Sequence, residues 1–188
     1  MKIYIQLFIL LFVLNCKPKD NLENVKIHST EIIFTQPKFS DIQKIENKNN
    51  GIEYKKPYNI GLSKEYFPEI DKYEFAQPKI YRRDTANLQT QISYFYTKKD
   101  SIVRLIEYSW SRSKKQKPFI NRLYEFNKKR ISKKLAQDGI EKSDKIDYWW
   151  QKIIRWDNDS AHIYSFIFGI KEGQRTRIIV RFKEPIQK

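Results

Sequence analysis

The chain has 188 residues, 40% of them apolar, with twelve Phe, twelve Tyr and four Trp, enough ring area to bury one core and to exclude disorder throughout. Thirty-seven Lys and Arg against 22 Asp and Glu give a formal charge of +15, which favours polyanionic partners and says nothing about fold. One cysteine excludes a disulfide framework, and five glycines with no Gly-rich run exclude a phosphate loop.

Residues 1–15 differ in composition from everything after them. Lys2 supplies a short positive region, and Ile3 to Leu14 is apolar except at Gln6. This is the pattern of a signal-peptide h-region. It is too short for a membrane-spanning helix, which needs about 20 apolar residues. Cys16 follows immediately, in Val13-Leu14-Asn15-Cys16. Those residues resemble the lipobox of bacterial lipoproteins, with Asn15 where that family usually has Gly, Ala or Ser.

The resemblance covers about twenty residues and is silent on the rest. It implies cleavage before Cys16, a diacylglycerol on its sulfur and a place on the cell envelope, expected at the periplasmic or surface face of the outer membrane. Two or three acyl chains, at about 0.8 kcal/mol per buried methylene, would hold the protein to the membrane durably. Removing residues 1–15, which contain Lys2 and no acid, lowers the formal +15 to +14.

Residues 16–30 then read as the lipidated cysteine and a polar tether, and 31–188 as a single α+β domain. Within it, residues 31–87 contain Pro37, Pro57, Pro68 and Pro78, which predicts an irregular stretch. Glu31–Thr35 and Lys79–Arg82 are candidate strands there, Ile42–Asn47 a candidate helical turn and Asn47–Gly51 a loop.

From Leu88 the periodicity sharpens. Leu88, Thr90, Ile92, Tyr94 and Tyr96 alternate with Gln89, Gln91 and Ser93, and Lys98-Lys99-Asp100 turns the chain into Ile102–Trp110, which predicts a hairpin. Pro118 can open a helix that Gly139 closes, with Ile120, Leu123, Tyr124, Ile131 and Leu135 on one face and Arg122, Lys129 and Lys133 pointing away. Three further strands follow: Tyr148–Trp156, His162–Phe168 and Arg175–Phe182. Their links are too short for a parallel crossover. The order β-β-α-β-β-β predicts one antiparallel sheet of about five strands with a helix packed on one face.

Charge is unevenly placed. Between Arg112 and Lys134 stand ten basic residues and one acid, Glu125, so Arg122, Lys128, Lys129, Lys133 and Lys134 are candidate electrostatic contacts. In the last strand Arg175, Arg177 and Arg181, with Lys183, alternate with Thr176, Ile178, Val180 and Phe182, which predicts a basic face solvated or facing a partner. Export favours anionic lipid, lipopolysaccharide phosphates or an acidic protein and disfavours nucleic acid.

Trp149, Trp150 and Trp156 form the most unusual local composition. Trp149 and Trp156 are candidate aromatic contacts, against the alternative that Trp150 and Trp156 are core under the helix and Trp149 packs at a sheet edge. Asp157-Asn158-Asp159-Ser160 reads as a hairpin turn, lacking the glycine and distal glutamate of a calcium loop. The imidazoles His28 and His162 stand in no metal or nucleophile motif, so no catalytic residue, metal or cofactor is assigned.

The reading this supports is a lipid-anchored, non-enzymatic binding or assembly module. An exported enzyme acting on an envelope polymer, with Glu107, His162 and Asp157 in acid and base roles, and an inhibitor or immunity-type protein are the alternatives.

Overall fold

The structure, a computed structural model, describes residues 30–55, 63–83, 88–112, 117–146, 149–170 and 173–184. The signal peptide, Cys16 and the tether up to residue 29 lie outside the described residues. Among the described residues no helix is long and apolar enough to cross a membrane.

Among the described residues two α-helices and eight strands follow one another: α1 (Phe39–Lys48), β1 (Ile52–Glu53), β2 (Lys79–Arg82), β3 (Gln89–Tyr96), β4 (Val103–Arg112), α2 (Lys117–Leu135), β5 (Ile140–Ile146), β6 (Trp149–Asp157), β7 (Ala161–Ile170) and β8 (Gly173–Phe182). A 3-10 turn covers Ile70–Lys72. The strands form one antiparallel sheet in the order β1-β2-β3-β4-β8-β7-β6-β5. Each pair but β4–β8 joins consecutive strands. β8 returns beside β4 after α2 has crossed the sheet.

The expected antiparallel sheet carrying a helix is present, but it is larger than five strands. β1 and β2 come from the Pro-containing region expected to be irregular, β2 at the candidate strand Lys79–Arg82, and the region also contributes α1 around the expected turn at Ile42–Asn47. β5 was not expected, because Ile140-Glu141-Lys142-Ser143-Asp144-Lys145-Ile146 is polar on both parities, as suits an outer strand whose charges discourage edge pairing. Glu31–Thr35 is not a strand. It runs as coil over the sheet, where Ile32 is buried and the Ile33 amide donates to the Tyr108 hydroxyl at 3.0 Å.

The helix stripe packs as periodicity requires. Ile120, Leu123, Tyr124 and Ile131 are buried against Trp110, Ile154, Trp156, Ile163, Ile178 and Val180 of the sheet. α2 stops at Leu135, four residues before Gly139. Ala136 takes φ 50°, the Gln137 amide donates to the Ser132 carbonyl at 3.2 Å, and the Ala136 amide to that of Lys133 at 3.4 Å. That is a Schellman cap built on alanine. Gly139 serves another purpose: a Cβ there would lie 2.3 Å from Ile154 Cγ2 and 2.6 Å from Trp156 Cε2.

The described residues cover half of the sheet's other face. Phe67 from the 63–75 segment is buried against Phe95, Leu105, Phe166 and Ile179, with Tyr66, Ile70, Tyr73 and Phe75 packed around it. A bridge between Phe75 and Thr97 ties the segment to the end of β3. The part of this face that the described residues leave open holds the site described next.

Candidate functional site

Strand alternation sorts the candidates between the two faces. In β4, Ile106, Tyr108 and Trp110 lie under α2, and Leu105 and Glu107 face the other way. In β8, Ile178, Val180 and Phe182 share the helix side, and Arg175, Arg177, Ile179 and Arg181 the other. The register pairs Glu107 with Ile179 and Ser109 with Arg177, so Arg177 is the diagonal neighbour of Glu107. Its Nε lies 3.1 Å from Glu107 Oε1, with the carboxylate side chain 5% exposed and the arginine 33%.

The pair lines a cavity of about 250 Å³, with Ser63, Tyr66, Trp149, Gln151, Phe166, Phe168 and Ile179 as the other walls. Tyr66 meets the Phe166 ring edge-on at 4.7 Å between centroids and 84°, and Arg177 lies 5.7 Å from the centroid of Phe168. Burial pushes the Glu107 carboxyl upward, against the pull of Arg177. Burial, then Glu65, raises the Tyr66 phenol to about 12, so it stays a neutral donor at physiological pH. The Arg177 Nε is buried without hydrogen-bond geometry to any acceptor among the described residues.

Of the two aromatic candidates, only Trp149 reaches this cavity. Trp149 does not sit at a sheet edge, because β5 pairs outside it and places Ile146 opposite. Trp156 is 1% exposed beneath α2, its indole Nε1 donating to Ser132 Oγ at 3.1 Å, and is core, not a contact surface. Trp150 is half-buried against the same core.

The basic candidates divide as well. Arg181 is not solvated: its side chain is 10% exposed, packed over Phe67 at 5.7 Å and 3.6 Å from Glu69 Oε2. Arg177 belongs to the cavity, and Arg175 is exposed. On α2, Lys128 is held by Glu141 at 2.7 Å and Arg122 is half-buried. Lys129, Lys133 and Lys134 are exposed and pair with no acid among the described residues. Arg130, counted in the positive stripe, turns inward: it donates to the Thr30 carbonyl at 3.0 Å, and burial pulls its guanidinium down to about 10.

The acid and base candidates do not converge. His162 Nδ1 lies 2.8 Å from Asp157 Oδ2, and the same carboxylate holds Lys183 at 2.6 Å and Arg155 at 2.9 Å. Glu107 is two strands over and two residues along, roughly 12 Å away by sheet spacing. The 158–161 segment is a plain turn in which Asn158 Oδ1 accepts from the Ser160 and Ala161 amides at 2.9 and 2.8 Å. Among the described residues no group of three His, Cys, Asp or Glu could hold a metal. The chain matches no protein-family model, and comparison with curated proteins and with solved structures finds no match.

Sequence reasoning found Glu107, Trp149 and Arg177 separately and missed Tyr66, Gln151, Phe166 and Phe168 as their companions. One signal was available. The run Leu105-Ile106-Glu107-Tyr108-Ser109-Trp110 puts a carboxylate on the side opposite three large apolar residues, marking a polar spot on that face.

Proposed function

We propose that the chain is a lipid-anchored, non-enzymatic binding module of the cell envelope, whose outer α2 face contacts a phosphate-bearing surface. The observation that carries this reading is the pair Lys129 and Lys133, exposed on the side of α2 away from the sheet, with Lys134 exposed at the end of the helix, all three left without acidic partners among the described residues. Positions 129 and 133 are one helical turn apart, so their ammonium groups address the same surface. Lys128 and Arg130, which belong to the same sequence cluster, are used internally and contribute less.

Enzymatic chemistry has less support. Two-carboxylate hydrolysis needs a second acid beside Glu107. The cavity wall supplies instead Arg177, Tyr66 and Gln151.

Co-sedimentation of the chain from residue 17 onward with phosphatidylglycerol, lipopolysaccharide and phosphatidylcholine vesicles tests the proposal. Binding to the first two, lost at high salt and lost when Lys129, Lys133 and Lys134 become Glu, is the expected result. Equal binding to phosphatidylcholine, or no effect of charge reversal, overturns it; capture of one stoichiometric acidic protein instead would move the partner from lipid to protein.

A further inference from the structure

The open-face cavity carries a ligand preference of its own, independent of the lysines on α2. Among the described residues the acidic and basic side chains that line it are Glu107 and Arg177, which neutralise one another across 3.1 Å. A cationic ligand would have to displace Arg177 from the carboxylate, and an anionic one would enter beside Glu107. A neutral ligand meets neither penalty.

Neutrality does not mean the pair is satisfied. Among the described residues Arg177 Nε is buried with no hydrogen-bond partner and meets Glu107 as an ion pair, although an ionised carboxylate can accept about four hydrogen bonds and a guanidinium donate five. Gln151, with one acceptor and two donors, lines the same cavity. The occupant therefore needs several donors and acceptors close together. The remaining walls are flat and apolar, with Trp149, Tyr66, Phe166 and Phe168 presenting ring faces and edges. The occupant also needs an apolar face, and about 250 Å³ restricts it to the size of one ring.

A pyranose combines these properties, with axial C–H groups forming an apolar face and equatorial hydroxyls that both donate and accept around the rim. We propose that the cavity is a saccharide subsite for one neutral pyranose ring, stacked on Trp149 and hydrogen-bonded through its hydroxyls to Glu107, Arg177 and Gln151.

Calorimetric titration of the full chain in detergent with the neutral trimers chitotriose and cellotriose tests this, with glucuronate and tetramethylammonium as charged controls. Saturable binding of at least one trimer, unchanged at high salt and unchanged by glutamate at 129, 133 and 134, is expected. Trp149→Ala should weaken it by about ten-fold or more, the loss expected of one stacking surface. Gln151→Ala, at a half-exposed position, should weaken it as well and serves if Trp149→Ala fails to fold by circular dichroism. No binding of either trimer, binding that survives both substitutions, or tighter binding of either charged control overturns the proposal. Loss of vesicle binding on lysine reversal with saccharide binding intact would separate the two sites.

Discussion

Arg83 grips the carboxylate of Glu46 with two nitrogens, Nε to Oε2 at 2.8 Å and Nη2 to Oε1 at 2.6 Å, in a pair whose side chains are 3% and 0% exposed. The contact spans 37 residues and fastens α1 to the end of β2, with the Tyr94 hydroxyl donating to the same carboxylate. Gly51 lies against it, where a Cβ would be 2.1 Å from Glu46 Oε2.

Removing one partner leaves the other buried without its counter-charge. Glu46→Ala should lower unfolding stability by about 3–5 kcal/mol, whereas the double change Glu46→Leu with Arg83→Met should recover much of the loss, because an apolar pair carries no desolvation penalty. Urea midpoints of the single and double variants measure both effects. A single-variant loss below about 1 kcal/mol would mean that the pair is not closed in solution.

Ala136 takes φ 50° at the position where a Schellman cap favours glycine. Its Cβ crowds the following carbonyl, at a cost of about 1–2 kcal/mol for a non-glycine residue. Ala136→Gly should therefore stabilise the protein by about 1 kcal/mol, or roughly 2–4 °C in Tm for a chain of this size, as read by thermal denaturation. The equivalent cap after α1 is already filled by Asn50 at φ 54°, a residue that tolerates this region, so Asn50→Gly should change little.

How far these features could be read from the sequence depends on whether neighbours in space are neighbours in the chain. β3, β4, β6, β7 and β8 announce themselves by alternation, and the buried α2 stripe by its spacing, because each pattern is written in one local window. β5 and β1 carry no such pattern, since outer strands bury little. α1 was legible only as a turn at Ile42–Asn47, because its buried positions are Ile42 and Glu46, and Glu46 is core only by virtue of Arg83 far along the chain. The cavity has the same character. Tyr66 arrives from the Pro-containing segment, Glu107 from β4, Trp149 from β6 and Arg177 from β8, and only the β4–β8 pairing makes Arg177 a neighbour of Glu107. Trp156 and Arg181 were misread for the converse reason: a residue's parity names its face but not what covers that face, here α2 and the Phe67 segment.

Gly139 and Trp156 are in such close approach that any side chain at 139 must move the indole or Ile154. Gly139→Ala should cost about 1–3 kcal/mol by overpacking, although the position is outside the helix and alanine has the better helix propensity. Urea denaturation measures the loss, and a red shift of tryptophan emission in the folded variant would report that Trp156 has been displaced from its bond to Ser132. A neutral outcome would place the 136–139 link farther from β6.

The cluster at the β6–β7 turn sets the acid limit. Burial first, then Arg181, depresses the His162 imidazole below its ordinary value, with Asp157 pulling the other way. Burial opposes ionisation of Asp157, but hydrogen bonds from Lys183 and Arg155 and the nearby His162 outweigh it and hold that carboxyl low. Between about pH 6.5, where a free imidazole protonates, and the lower folded value, the unfolded chain binds the proton more readily, so stability falls as pH drops through that window. Asp157 acts further down: its contribution is complete above about pH 4 and is lost as pH falls through its depressed folded value. His162→Gln should flatten Tm between pH 7 and 5 while leaving the steeper loss below pH 4, and Asp157→Asn should do the reverse. Asp157 is partly exposed and its contribution is screened, so the lower step should shrink at high salt. A Tm profile identical in wild type and His162→Gln from pH 7 to 5 would show that the imidazole is not held neutral in the fold.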